Sequence, residues 1–267
     1  MNINSSYTSL QNINDVQSSS LEKIGTALAI NKASDDASGL AIADALGSQK
    51  SSVSQSLENM NSGIAMSNIA QSGISSQKEL LENIKTETLK AMNGTTSPEG
   101  REAIQQQISK YVDQYESIAS STTYNGTSLL KASGDSSDDI SITDVDSTIE
   151  MEKADTTSIS DTLKSFLGDF TTNPTSMQNM LNAVDQGMTK LATYASDFGS
   201  ASNAMESSAR NSISTEVELA KAQSTILDID YSKEISDFSK TNIMSQMGYV
   251  MQTQANANQQ RNIDLLS

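Results

Sequence analysis

The hydrophobic positions of this chain recur at steps of three and four residues almost everywhere, a pattern that predicts α-helix. The pattern is most regular between Ile104 and Ile118 and between Met177 and Ala209. The second stretch continues to Ile226 without a proline, which predicts a helix of about 50 residues, or ~75 Å at 1.5 Å per residue. A compact globule of this mass has a radius of gyration of only ~18 Å, so we expect a rod.

Breaks in the pattern divide the helical stretches. Residues 31–39 are small and polar, and residues 124–126 (Tyr-Asn-Gly) form a strong turn signal. Between them, an Asn-Gly turn precedes Ser97-Pro98. This arrangement predicts a helix that starts with Ser97 as its N-cap and Pro98 at its first position.

The segment 131–173 differs in character, being acidic and rich in serine, with much of the negative charge between Asp135 and Asp161. Residues 140–142 and 148–151 alternate weakly between apolar and polar, as the short strands of a hairpin do. We predict β-structure in this segment alone, and at most a hairpin and a loop. After it, Asn173-Pro174 predicts the cap and start of the long helix.

The terminal segments carry apolar stripes that are too narrow for a stable monomeric core, and isolated helices are marginal in water. We interpret the stripes at 104–118 and 177–205 as intramolecular core. Nothing else in the chain is apolar enough to cover both terminal stripes, so we expect contacts between subunits there. The predicted interface residues are Leu21, Ile24, Leu28, Ile235, Phe238, Ile243, Met247, Val250, Met251, Leu265 and Leu266.

Composition narrows the possible chemistry. The 267 residues include 17 Lys+Arg against 33 Asp+Glu, a net charge of −16, and no His or Cys. Imidazole and thiol catalysis, disulfides and the common transition-metal sites are therefore excluded, and an acidic chain is a poor nucleic-acid binder. The Asp35-Asp36 pair is more typical of a helix cap than of a Ca²⁺ site. The composition leaves open carboxylate, Ser, Lys or Tyr chemistry, or no chemistry at all. Of these we expect no enzyme activity, no catalytic residues, no cofactor and no metal.

Neither a targeting nor a membrane segment is evident. Residues 1–17 lack the basic and apolar regions of a Sec signal peptide. The longest charge-free stretch, residues 59–77, is rich in Asn, Ser, Gln and Gly, which is unsuited to lipid. We expect no membrane association, and any export must depend on another signal.

Several segments resemble the bacterial flagellins. Residues 28–43, LAINKASDDASGLAIA, are similar to the family signature LRIN-x-A-x-DDA-x-GLAIA, and residues 60–73 are similar to the stretch that follows it. Residues 124–126 stand where flagellins carry (Y/F)NG. Residues 227–247, LDIDYSKEISDFSKTNIMSQM, and 255–266 resemble the family's C-terminal patterns. The resemblance covers about residues 1–130 and 174–267, in order and at family spacing.

The resemblance implies a mainly α fold, an elongated rod of long antiparallel coiled-coil helices from both chain ends with a small β-hairpin or loop region in the middle. Segments 1–44 and 228–267 would form the axial coiled coil, and 45–130 with 174–227 the helical rod domain. Segment 131–173 would be a short variable region, which in some flagellins is O-glycosylated on Ser/Thr, here within Ser133–Ser160.

The function implied is that of a structural subunit that self-assembles into the flagellar filament for swimming motility. Its partners would be further copies of itself, the flagellar export apparatus with an export chaperone, and the hook-junction and cap proteins. Such a subunit is exported unfolded by the type III apparatus and lies outside the cell. The alternative is a secreted coiled-coil junction or tip protein of a type III apparatus that does not polymerise.

The chain departs from the usual flagellin sequence in one stretch that concerns immune recognition. The stretch that many flagellins write as QRVRELAVQ reads ENIKTETLK at residues 82–90. Its two Arg positions are Asn83 and Lys85, and its Leu position is Glu87. In the family this stretch contacts the innate-immune receptor for flagellin, so we hypothesise that this chain is a weak agonist of that receptor.

Overall fold

The computed structural model describes residues 3–131, 140–144, 147–151 and 153–264, and most of these are helical. The helices are α1 (Ile3–Thr26), α2 (Ala37–Met92), α3 (Pro98–Ser121), α4 (Thr157–Leu167), α5 (Pro174–Leu227) and α6 (Tyr231–Asp264). The strands are β1 (Thr123–Tyr124), β2 (Thr127–Ser128), β3 (Ile140–Thr143) and β4 (Thr148–Met151). Within these ranges no helix is long and apolar enough to cross a membrane.

The chain forms two compact units, one of residues 1–51 with 216–267 and one of residues 52–215. The mainly α fold, with antiparallel long helices from both chain ends and a small hairpin region, is confirmed. The division into five segments at 44, 130, 173 and 227 stays a prediction.

The 52–215 unit contains a single large apolar core. Its fully buried side chains include Tyr115 of α3 and Phe198 of α5, and α4 contributes Leu163. The stripes at 104–118 and 177–205 both enter this core, which confirms that they are intramolecular. The regular 4-3 spacing explains the result, because it keeps one face of each helix directed at the same neighbours.

A polar network is enclosed in the same core. Gln77 is fully buried, and its Nε2 donates to the carbonyl of Tyr115 (3.2 Å) and to Thr156 Oγ1 (2.9 Å). The Thr156 hydroxyl in turn donates to the Leu130 carbonyl at 2.8 Å. Burial raises the pKa of the Tyr115 hydroxyl well above its usual value. These bonds join α2 and α3 to the two loop segments that flank the middle region.

The predicted hairpin at 140–151 is confirmed. Strands β3 and β4 pair antiparallel, with Ile140 opposite Met151 and Thr143 opposite Thr148. Met151 is buried in the core, so the alternation of side chains along β4 directs one face of the hairpin towards the core. At the turn, the Asp144 carboxylate accepts hydrogen bonds from the hydroxyls of Ser56 and Ser208, which attach the hairpin to α2 and α5.

Two expectations about the middle of the chain are wrong. A second hairpin, β1–β2, lies outside 131–173 and turns at Asn125-Gly126, where both residues have positive φ (49° and 81°). Its strands of two residues each are too short to show an alternating pattern. The segment also holds more than a hairpin and a loop, because α4 buries Ile159 and Leu163 in the core.

The predicted helix starts are confirmed. Ser97 caps α3 by accepting a hydrogen bond from the Gly100 N–H at 3.1 Å, and Pro98 is the first helical residue. Asn173 Oδ1 accepts from the Thr175 N–H at 2.9 Å at the start of α5. In both cases a side-chain oxygen satisfies an N–H that has no partner within the helix.

Candidate subunit interface

Helices α1 and α6 pair antiparallel within the first unit. Near the middle of both helices, Asn14 Nδ2 donates to the Tyr249 hydroxyl and the Ser245 hydroxyl donates to Asn14 Oδ1, both at 3.3 Å. Leu10 lies so close to Gly248 that a Cβ on Gly248 would come within 2.8 Å of Leu10 Cδ2. Small residues on α6 therefore let the two helices approach closely.

At one end of the pair, between the end of α1 and the start of α6, a backbone bridge joins the two chain segments. The Ala29 N–H donates to the Leu227 carbonyl at 2.6 Å, and the Ile229 N–H donates to the Ala27 carbonyl at 3.2 Å. Helix α1 ends at Thr26 because Ala27 adopts a left-handed φ of 63°. Leu28, one of the predicted interface residues, therefore lies in this bridge and not in a helix.

The carboxylates of Asp35 and Asp36 bond backbone N–H groups of the loop and of the helix start that follows it. Asp36 Oδ1 accepts from the N–H groups of Ser38 and Gly39, both at 2.9 Å, and so caps α2. Two backbone N–H groups, those of Asn31 and Lys32, donate to the Asp35 carboxylate and hold its pKa below its ordinary value. Asp36 therefore caps α2, and Asp35 holds the loop before it. Among the described residues no group of three or more acidic side chains is placed to hold a metal ion.

A large apolar surface remains exposed on the paired helices. Of the predicted interface residues that the structure describes, Ile24, Leu28 and Phe238 are half-buried. The others are exposed by half or more of their area: Leu21 55%, Ile235 50%, Ile243 59%, Met247 60%, Val250 64% and Met251 68%. Soluble monomers rarely leave such contiguous apolar surface in water, so this face has the character of a contact surface.

The geometry of α6 separates this face from the seam with α1. At 100° per residue, positions 243, 247, 250 and 251 fall within an arc of roughly 100°, and Ser245 and Gly248 lie about 170° and about 110° away from its centre. One side of α6 thus contacts α1, and the described residues of the unit leave the other side exposed.

Sequence reasoning missed several members of this surface. Val16 and Met244 are also exposed, at 54% and 46%, whereas Tyr249 lies on the α1 side of α6, where its hydroxyl bonds Asn14. The seam residues Ser245 and Gly248 were missed as well, and their spacing of three along α6 is the signal that marks a close helix approach. Leu265 and Leu266 lie outside the described residues.

The divergent stretch on α2 is a polar, mostly accessible surface. Asn83 is exposed and borders a shallow cavity of about 390 Å³ between α2 and α3. Lys85 pairs with Asp185 of α5 at 2.6 Å, and Glu87 pairs with Lys90 at 2.8 Å. The side chains at 85 and 87 are thus held in ion pairs on the chain itself.

Family comparison identifies the chain. The bacterial flagellin N-terminal helical region matches residues 1–135, and the bacterial flagellin C-terminal helical region matches residues 181–266. The chain belongs to the bacterial flagellins. The two matched regions contain the helices that form the α1–α6 pair, so the exposed apolar face lies in the family-specific part of the sequence.

Relatives match over nearly the whole chain. A flagellin of Halalkalibacterium halodurans is 27% identical over 96% of this chain and 93% of its own length. A flagellar filament 31.3 kDa core protein of Treponema maltophilum is 26% identical over 95% and 93%. Flagellin B of Helicobacter pylori is 40% identical over 46% of this chain and 24% of its own length.

Two solved structures share the fold. A protein of Vibrio parahaemolyticus described as flagellar hook-associated has a TM-score of 0.66 at 15% identity, over 73% of this chain and all of that one. The Bacillus cereus flagellin has a TM-score of 0.52 at 20% identity, over 58% of this chain and 88% of its own. At these identities the likeness concerns the fold alone.

Proposed function

We infer that this chain is a structural subunit that self-assembles into the bacterial flagellar filament. The observation that carries the inference is the apolar face of the α1–α6 pair, which the residues that the structure describes leave exposed. A helical polymer is the arrangement in which a heterologous contact repeats without closing, so every copy can offer this face to a neighbour. Flagellin relatives over about 95% of the chain favour this function over the junction or tip protein.

Assembly would bury apolar side-chain area that is still exposed in the isolated chain. Six of the predicted interface side chains keep 50–68% of their area exposed. Full burial of one aliphatic side chain contributes about 1.5–3 kcal/mol, so each half-exposed one can add about 1 kcal/mol on assembly. The six together can add about 6 kcal/mol, which exceeds the lower end of the cost of association, about 4 kcal/mol.

We propose that the α1–α6 pair, segments 1–44 and 228–267, forms the axial part of the filament, with Leu21, Ile243 and Val250 in contact with other copies. Segments 45–130 and 174–227 would form the adjoining rod domain, and 131–173 the variable region. Export of the unfolded chain by the type III apparatus, followed by hook-junction and cap contacts outside the cell, belongs to the same proposal, as does O-glycosylation of the variable region.

Seeded polymerisation tests the function. Purified chain is mixed with short filament seeds and observed by electron microscopy, beside a variant that lacks residues 252–267. We expect filaments from the full chain and none from the truncated one, whose 52–215 unit keeps its helical circular dichroism. Discrete capped oligomers from the full chain would favour the junction alternative, and normal filaments from the truncated chain would contradict the axial role of α6.

A further inference from the structure

The described methionines range from fully buried to largely exposed. Met60, Met180 and Met205 are fully buried in the core of the 52–215 unit. On α6, three methionines are exposed instead: Met244 at 46%, Met247 at 60% and Met251 at 68%. They are spaced by three and four residues, so they lie on one side of the helix.

The exposed group lies within the surface proposed for assembly. Met247 and Met251, with Val250 and Gln246, border a shallow cavity of about 320 Å³ that is mostly apolar. The chain has no cysteine, so these thioethers are the most accessible readily oxidised sulfur atoms among the described residues. A methionine is unbranched and adapts to irregular contacts, but its sulfur is open to two-electron oxidants.

We propose that Met244, Met247 and Met251 are sites of reversible sulfoxidation that control whether the subunit can assemble. The inference rests on the proposed filament function. The oxidant is a hydroperoxide. The sulfur lone pair attacks one peroxide oxygen, the O–O bond breaks and an S–O bond forms, while the proton on the attacked oxygen passes to the departing hydroxide, which leaves as water. The thioether is oxidised by two electrons, and hydrogen peroxide is reduced to water.

Oxidation makes these side chains more polar, and the added polarity opposes assembly. A sulfoxide oxygen is a strong hydrogen-bond acceptor, and burial of such a group without a donor opposes assembly. The exposed face of α6 offers mainly apolar neighbours at these positions, so the modified chain stays in solution. Assembly in turn covers the sulfur atoms and protects them. Methionine sulfoxide reductases restore the thioether, which makes the block reversible.

The test uses the full chain. Monomer and preformed filaments are treated with hydrogen peroxide, sulfoxides are assigned by peptide mass spectrometry, and the critical concentration is measured. We expect the three α6 methionines to oxidise in the monomer well before Met60 and Met205, and to be protected in filaments. The critical concentration of oxidised chain should rise about tenfold or more, which corresponds to about 1.4 kcal/mol, and reductase treatment should restore it.

The variant M244L/M247L/M251L keeps the side-chain volume and apolar character. It should polymerise and lose its sensitivity to peroxide, whereas the control variant M92L, which removes the exposed Met92 of α2 (37% exposed), should stay sensitive. An unchanged critical concentration after oxidation of the three sites, or equal sensitivity of the triple variant, would overturn the inference. Failure of the untreated chain to polymerise would instead contradict the proposed function, and this inference with it.

Discussion

Removal of apolar surface from the exposed side of α6 should weaken assembly without weakening the fold. The double variant Ile243→Ser, Val250→Ser takes away two side chains that are 59% and 64% exposed in the isolated chain. Since these side chains touch little within the chain, the α1–α6 pair and the 52–215 unit should keep their helicity and thermal stability.

The expected magnitude follows from the area still to be buried. Full burial of Val or Ile contributes about 1.5–3 kcal/mol, and roughly 60% of that remains to be gained on assembly at each position. The double variant should therefore lose about 2–4 kcal/mol per contact. Because each 1.4 kcal/mol is tenfold in an equilibrium constant, the critical concentration should rise roughly thirtyfold or more.

Sedimentation of polymer at a series of protein concentrations measures the critical concentration, and far-UV circular dichroism measures the fold. The matched control is Ile213→Ser, which removes a side chain of α5 that is 49% exposed and lies in the other unit. It should change the critical concentration by no more than about twofold, since surface substitutions outside contacts stay within ±0.5 kcal/mol. A double variant that polymerises as readily as this control would refute the reasoning.

Three further predictions concern packing and recognition. Gly199→Ala, where an added Cβ meets nothing within 4 Å, should stabilise the chain by about 0.5–1 kcal/mol in urea titration. Gly248→Ala should lack that gain because Leu10 must move, and equal effects would contradict the close α1–α6 contact. Phe198→Ala, at a side chain that is 1% exposed, should cost about 3–5 kcal/mol of unfolding free energy, and a loss below about 1 kcal/mol would contradict its core position. The 82–90 stretch should make purified monomer a weak agonist of the innate-immune receptor in reporter cells, and full-strength activation would rule that out.

The long helices could be predicted from sequence because their spacing is regular and their start signals are unambiguous. The stripe at 177–205 places every third or fourth residue on the core side, and Ser97-Pro98 satisfies the local rules for a helix start by itself. Such signals are read from neighbouring residues, so no knowledge of tertiary structure is needed.

The features that sequence reasoning missed depend on tertiary contacts or on very short patterns. Helix α4 has only 11 residues, and its Ile159 and Leu163 show a pattern only once the core they enter is known. The end of α1 at Thr26 depends on the backbone bridge between Leu28 and Asp228, which are 200 residues apart in the chain. The Asn125-Gly126 turn signal was visible, but the two-residue strands beside it were not.

Only part of the candidate interface could be predicted, because the rest depends on tertiary contacts. Apolar spacing indicated that the terminal helices carry stripes, but which side of α6 faces α1 depends on Ser245 and Gly248, whose small size matters only beside Leu10. The exposed side of α6, with Ile243 and Val250, can be identified only once the side that contacts α1 is known.

The most direct test of the central claim is a helical reconstruction by electron cryomicroscopy of the polymer formed by the purified chain. The account predicts a filament in which the exposed side of α6, at Ile243, Met247 and Val250, is covered by helices of neighbouring copies. A filament that leaves these side chains in solvent, or a purified chain that forms no filament from seeds, would contradict it.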